Sequence, residues 1–135
     1  MAYFSDGEKT FFKKNGYVVK ANVLRRELIE NAKDVVWDHI EADRDDPQSW
    51  IDAGPKGNLP CNDHPAIKAT VLDTPLYDMA EELVGKDRLR PPGGPLCKMN
   101  YPTGHKNWHP PRGHLDGYTV DHVAGTFTVG VTINI

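Results

Sequence analysis

The cluster Pro91-Pro92-Gly93-Gly94-Pro95 splits the chain into two textures, and what lies on each side limits the folds open to it. Its prolines fix φ and lack a backbone donor, and its glycines add freedom, so neither a helix nor a strand runs through it. Before it, apolar residues recur at helical spacing. Ser5 with Glu8 three residues later is a capping box and Asn15-Gly16 is a stop, which predicts a short helix over 5–15. A brief strand is expected at Tyr17 to Lys20. From Asn22, the positions Leu24, Leu28, Ala32, Val35, Val36 and Ile40 line one face while Arg25, Arg26, Glu30 and Asp34 fall between them, predicting an amphipathic helix over 22–42. The charged, Pro- and Gly-containing stretch 43–60 reads as a loop. Thr74 as cap, Pro75 at the first helical position, an apolar face from Leu76 through Met79, Ala80, Leu83 and Val84, and Gly85 past the end predict a third helix over 74–84.

After the break, Leu96 to Tyr101 and Thr126 to Ile135 alternate or are rich in β-branched residues and read as strands, with a loop-rich stretch over 102–125 between them. Helices first and strands later predict an α+β fold with the helices packed on a sheet. At 135 residues, 39% hydrophobic and 26% charged, the chain matches one soluble domain, mainly helical over 1–90 and carrying its strands over 91–135. The net charge of −3 comes with no basic block to neutralise phosphates, so nucleic acid is not an expected partner. No apolar run approaches the ~18 residues of a membrane span. The polar start MAYFSDGEKT lacks the basic region and apolar stretch of a signal peptide, so a cytoplasmic location and no membrane partner are expected. Cys61 and Cys97 are then expected as reduced thiols. With His64 and His105 they also form the one zinc set the chain offers, although only Cys61 and His64 have tight ligand spacing.

Chemistry concentrates at His114-Leu115-Asp116. In an extended segment residues two apart point the same way and can share one ion. A neutral imidazole and a carboxylate suit Fe(II), which non-heme oxygenases hold on one face with two histidines and one carboxylate, leaving the other positions open. Spacing alone carries little weight, since about 0.6 H-x-D matches are expected by chance among six histidines and thirteen aspartates. His39-Ile40-Glu41 has similar spacing, but on the expected second helix its side chains point to nearly opposite sides.

Four segments in order give His114 and Asp116 a context. Phe12-Lys13-Lys14-Asn15-Gly16-Tyr17-Val18-Val19 resembles the F-x-x-x-G-[YF]-V-V opening of the phytanoyl-CoA dioxygenase family, and a long helix is expected after it. The stretch from His64-Pro65 to Leu83-Val84-Gly85 resembles that family's helix ending in L-[LV]-G. Leu96 to Tyr101 resembles the strand before its metal site, and Gly113-His114-Leu115-Asp116-Gly117-Tyr118 resembles its metal-binding H-x-D. The resemblance covers nearly the whole chain. It implies an Fe(II)- and 2-oxoglutarate-dependent oxygenase built on a double-stranded β-helix, acting on a small-molecule substrate with O2. His114 and Asp116 would be iron ligands, and Asn100 and Thr132 contacts to 2-oxoglutarate. Halogenating relatives replace the carboxylate with a small residue, so Asp116 favours a hydroxylase.

The chain departs from the family after Asp116: the distal histidine and the arginine that clamps the far carboxylate of 2-oxoglutarate have no counterparts. The expectation is therefore the first portion of an oxygenase domain, apparently truncated, which by itself is poorly stable or associates with another chain. His122, eight residues past His114, is too near to be the family's second histidine, and His105 and His109 around Trp108 read as loop imidazoles. Two other classes stay open, a non-catalytic β-rich binding or assembly module and the small zinc-stabilised domain.

Overall fold

The computed structural model describes residues 2–53, 57–104 and 132–133. Helix α1, Asp6–Asn15, is closed at both ends by local chemistry. The Ser5 hydroxyl accepts from the Glu8 amide at 3.3 Å and the Ser5 amide donates to the Glu8 carboxylate at 2.7 Å, so two amides without intrahelical partners are satisfied reciprocally. Gly16 takes φ 80°, where its amide donates to the Phe12 carbonyl at 2.8 Å. No residue of α1 is buried; ion pairing holds it instead. Glu82 receives Lys9 at 2.8 Å, the Tyr3 amide at 2.7 Å and the Phe4 amide at 3.3 Å, joining the N-terminal segment to α4.

Residues 17–20, expected as a strand, are not one: none of the described backbone pairs with them, and a strand exists only through a ladder. Side chains tie this segment to α1. Tyr17 meets Phe11 edge to face with ring centroids 5.3 Å apart, and Lys20 bridges to Glu8 at 2.8 Å.

Helix α2 spans Arg26–Trp37, shorter than the apolar periodicity predicts. Asn22 sits at φ 58°, a left-handed conformation that no right-handed helix contains, and Arg25 caps from an extended conformation. At the other end the His39 amide reaches back only three residues to Val36, and the His39 ring bonds the Val35 carbonyl at 2.7 Å. His39 and Glu41 therefore lie beyond the helix rather than on it. The described residues of the stretch 43–60 also form more than a loop. A 3-10 turn at Pro47–Trp50 is capped by Asp46, whose carboxylate accepts from the Gln48 amide at 3.0 Å, and strand β1 follows at Gly57–Asn58.

Helix α3, Pro65–Leu72, had no counterpart in the periodicity reading. His64 caps it through a ring nitrogen that accepts from the Ala66 amide at 3.2 Å, and Pro65 occupies its first turn. Helix α4, Leu76–Val84, begins one step later than expected: Pro75 is the cap, and the Thr74 hydroxyl donates back to the carbonyls of Thr70 and Val71. Strand β2 is Lys98–Met99 rather than Leu96 to Tyr101, these being the two residues that pair with β1. The strands run antiparallel, with Gly57 opposite Met99 and Asn58 opposite Lys98.

The core lies where α2 and α3 meet this ribbon. Ala32, Val35 and Val36 from α2, Leu59 and Cys61 from beyond β1, and Ile67 from α3 are buried together, with Ile40, Ala66, Cys97 and Met99 packed on them. The architecture is α+β at the coarse level: among the described residues, four α-helices and one two-stranded sheet. No double-stranded β-helix is formed by these residues. Of the stretch 126–135 only Thr132 and Ile133 are described, and neither is in a strand.

Candidate metal centre

His114 and Asp116, like His105, His109 and His122, lie outside the described residues. What is described is how the chain is delivered towards them. Beyond β2 the backbone is clamped to the turn at Ile51-Asp52. The Asp52 amide donates to the Pro102 carbonyl at 2.9 Å, and the Gly104 amide donates to the Asp52 carboxylate at 3.1 Å. Asp52 makes both bonds from φ 53°, a left-handed conformation that aspartate tolerates better than most side chains. Gly104 fits closely: a Cβ there would stand 3.2 Å from the Asp52 carboxylate and 3.2 Å from the Ile51 side chain. Sequence reasoning missed Asp52. The only signal for it was a short acidic residue inside a polar, Pro/Gly-containing stretch.

Asn100 lies one residue past β2 and is exposed. Thr132 is exposed as well and lines, with Ile133, an apolar groove of about 800 Å³ walled by Phe4, Phe12, Leu24, Ile29, Met79 and Leu83. Asn100 is not among the described residues that line that groove. Between Asn100 and the clamp sits Tyr101, 7% exposed, with its hydroxyl buried and without a hydrogen-bond partner among the described residues. An unpaired buried hydroxyl costs about 1–3 kcal/mol.

Of the zinc set, Cys61, His64 and Cys97 are described and His105 is not. Cys61 and Cys97 are free thiols, and burial first, then the neighbouring Cys61 thiol, pushes the Cys97 thiol up to about 11. His64 commits a ring nitrogen to capping α3. Among the described residues no three His, Cys, Asp or Glu side chains converge to hold a metal.

No protein-family model, curated protein or solved structure matches the chain. Among the described residues no helix is long and apolar enough to cross a membrane.

Proposed function

We propose that the chain carries the iron-binding portion of an Fe(II)- and 2-oxoglutarate-dependent oxygenase that hydroxylates a small molecule, with His114 and Asp116 as two of the three protein ligands. The observation that carries this reading is the order of the four segments that resemble the phytanoyl-CoA dioxygenase family, closing on Gly113-His114-Leu115-Asp116. The donor set is compatible with this reading, because imidazole and carboxylate are the donors with which non-heme oxygenases hold Fe(II). On this reading β2 belongs to a double-stranded β-helix, and Asn100 and Thr132 face the oxoacid.

The reading requires a second histidine and an arginine that these 135 residues do not supply in the family's order. Residues 1–135 alone are therefore expected to bind Fe(II) weakly, since each missing ligand leaves the chelate incomplete, and to form no succinate from 2-oxoglutarate. Anaerobic Fe(II) titration followed by calorimetry tests the ligands. His114→Ala and Asp116→Ala should each abolish the remaining binding, and unchanged binding in both would remove the proposal. Succinate formation by residues 1–135 would show that a third ligand lies within them, with His122 the first to examine. The open apolar groove favours one competitor, a non-catalytic binding module, which predicts no response of either variant to iron.

A further inference from the structure

Cys61 and Cys97 are far apart in sequence and held together by backbone on both sides. The Leu59 amide donates to the Cys97 carbonyl at 2.9 Å, and the Cys97 amide donates to the Asn62 side chain at 2.6 Å. Residues 59 and 62 flank Cys61, so the two bonds that fix Cys97 also fix the frame from which the Cys61 thiol projects. The thiols lie close enough to influence each other's ionisation, and both pack on the same cluster of α2 and α3 residues. Cys61 is 3% exposed, whereas Cys97 is only half-buried. One thiol is thus open to a small reagent while its neighbour is shielded and within reach.

We propose that Cys61 and Cys97 form a redox-modification site, closing to an intramolecular disulfide with a small-molecule disulfide as oxidant and reopening with a thiol reductant. The Cys97 thiol loses its proton and its sulfur attacks one sulfur of the oxidant, which leaves as the first small thiol. Cys61 then loses its proton and attacks the Cys97 sulfur of the mixed disulfide, releasing the second small thiol. The two protein thiols give up two electrons and two protons, and the oxidant is reduced to two thiols. The raised pKa of Cys97 keeps it mostly protonated at neutral pH, which slows its attack on the oxidant. The bridge encloses α3 and α4 in a covalent loop and pins the start of β2 to the segment after β1, where the sheet itself is only two residues long. This site does not depend on the iron reading.

The test incubates the 135-residue chain under native conditions with oxidised glutathione, then alkylates the remaining thiols and maps peptides without reduction. The expected result is a monomer that has lost both free thiols, with the peptides of Cys61 and Cys97 joined, a higher urea unfolding midpoint, and full reversal by dithiothreitol. Cys61→Ala should instead retain a glutathione adduct on Cys97. If that variant does not fold, the map of the unaltered chain decides alone. A stable glutathione adduct on Cys97 with Cys61 free, a disulfide between two chains, or two thiols still free in the folded chain while the urea-unfolded chain oxidises would each overturn the proposal.

Discussion

Ile67 is 4% exposed and packs from α3 into the cluster that α2 and the segment beyond β1 share. Replacing it with alanine removes buried methylenes and leaves a cavity that the surrounding helices cannot fill completely. Ile67→Ala should lower stability by about 2–5 kcal/mol in urea unfolding. Leu28 and Leu83 are only half-buried, so the same change at either should cost less than at Ile67. At Cys97 the chemistry is read by reactivity rather than stability. With its thiol near pKa 11, only ~10⁻⁴ of it is thiolate at neutral pH. Alkylation of Cys97 by iodoacetamide should therefore rise about tenfold per pH unit from neutrality upward. A rate that levels off near the ordinary thiol value would show that neither burial nor Cys61 holds the proton.

At the scale of elements, α1 hangs on carboxylates. Glu82 has its pKa lowered from 4.5 to about 2, first by the Lys9 hydrogen bond and then by the Tyr3 amide, and Glu8 is lowered to about 2, first by Lys20 and then by Ser5. A carboxylate with a depressed folded-state pKa contributes stability that is fully present above its unfolded value. That contribution is lost as pH falls through the folded value. The attachment of α1 should thus weaken between pH 4.5 and about 2, and Glu82→Gln should flatten that part of the melting-temperature profile. Added salt should lower the melting temperature of the unaltered chain more than that of the variant. The legibility of the elements follows the same local logic. Helix α1 was readable because Ser5, Glu8 and Gly16 settle its ends within its own sequence. Helix α2 was read too long because the apolar period continues through Leu24 and Ile40, while Asn22 and the tightened turn at His39 stop the backbone. Helix α3 was missed because its segment, PAIKATVL, is too apolar to show a one-sided stripe, although His64-Pro65 carried a start signal. The β1–β2 pairing joins residues about forty positions apart, and nothing local at Gly57-Asn58 announces a strand.

For the whole molecule, the described chain that leads towards His114 and Asp116 is tied back by long-range bonds to Asp52. The Asp52 clamp spans fifty-two residues to Gly104, and it is the last described tie before that segment. Asp52→Ala removes the carboxylate acceptor and puts a β-carbon without a local hydrogen bond at φ 53°, whereas Asp52→Asn keeps both an acceptor and tolerance of that conformation. Loss of one such bond is worth about 1 kcal/mol. The clamp can be read without iron: in hydrogen exchange the Gly104 amide should lose protection in Asp52→Ala and keep most of it in Asp52→Asn. Global stability should change little, because Asp52 and Gly104 are exposed. Iron then separates the clamp from the function. If His114 and Asp116 bind Fe(II), loosening the chain that leads to them raises the entropy lost on binding, so Asp52→Ala should weaken Fe(II) affinity several-fold without removing a ligand. Equal affinity in Asp52→Ala and the unaltered chain, alongside lost Gly104 protection, would mean that the clamp ends its influence at Gly104 and that the metal segment is held by other contacts.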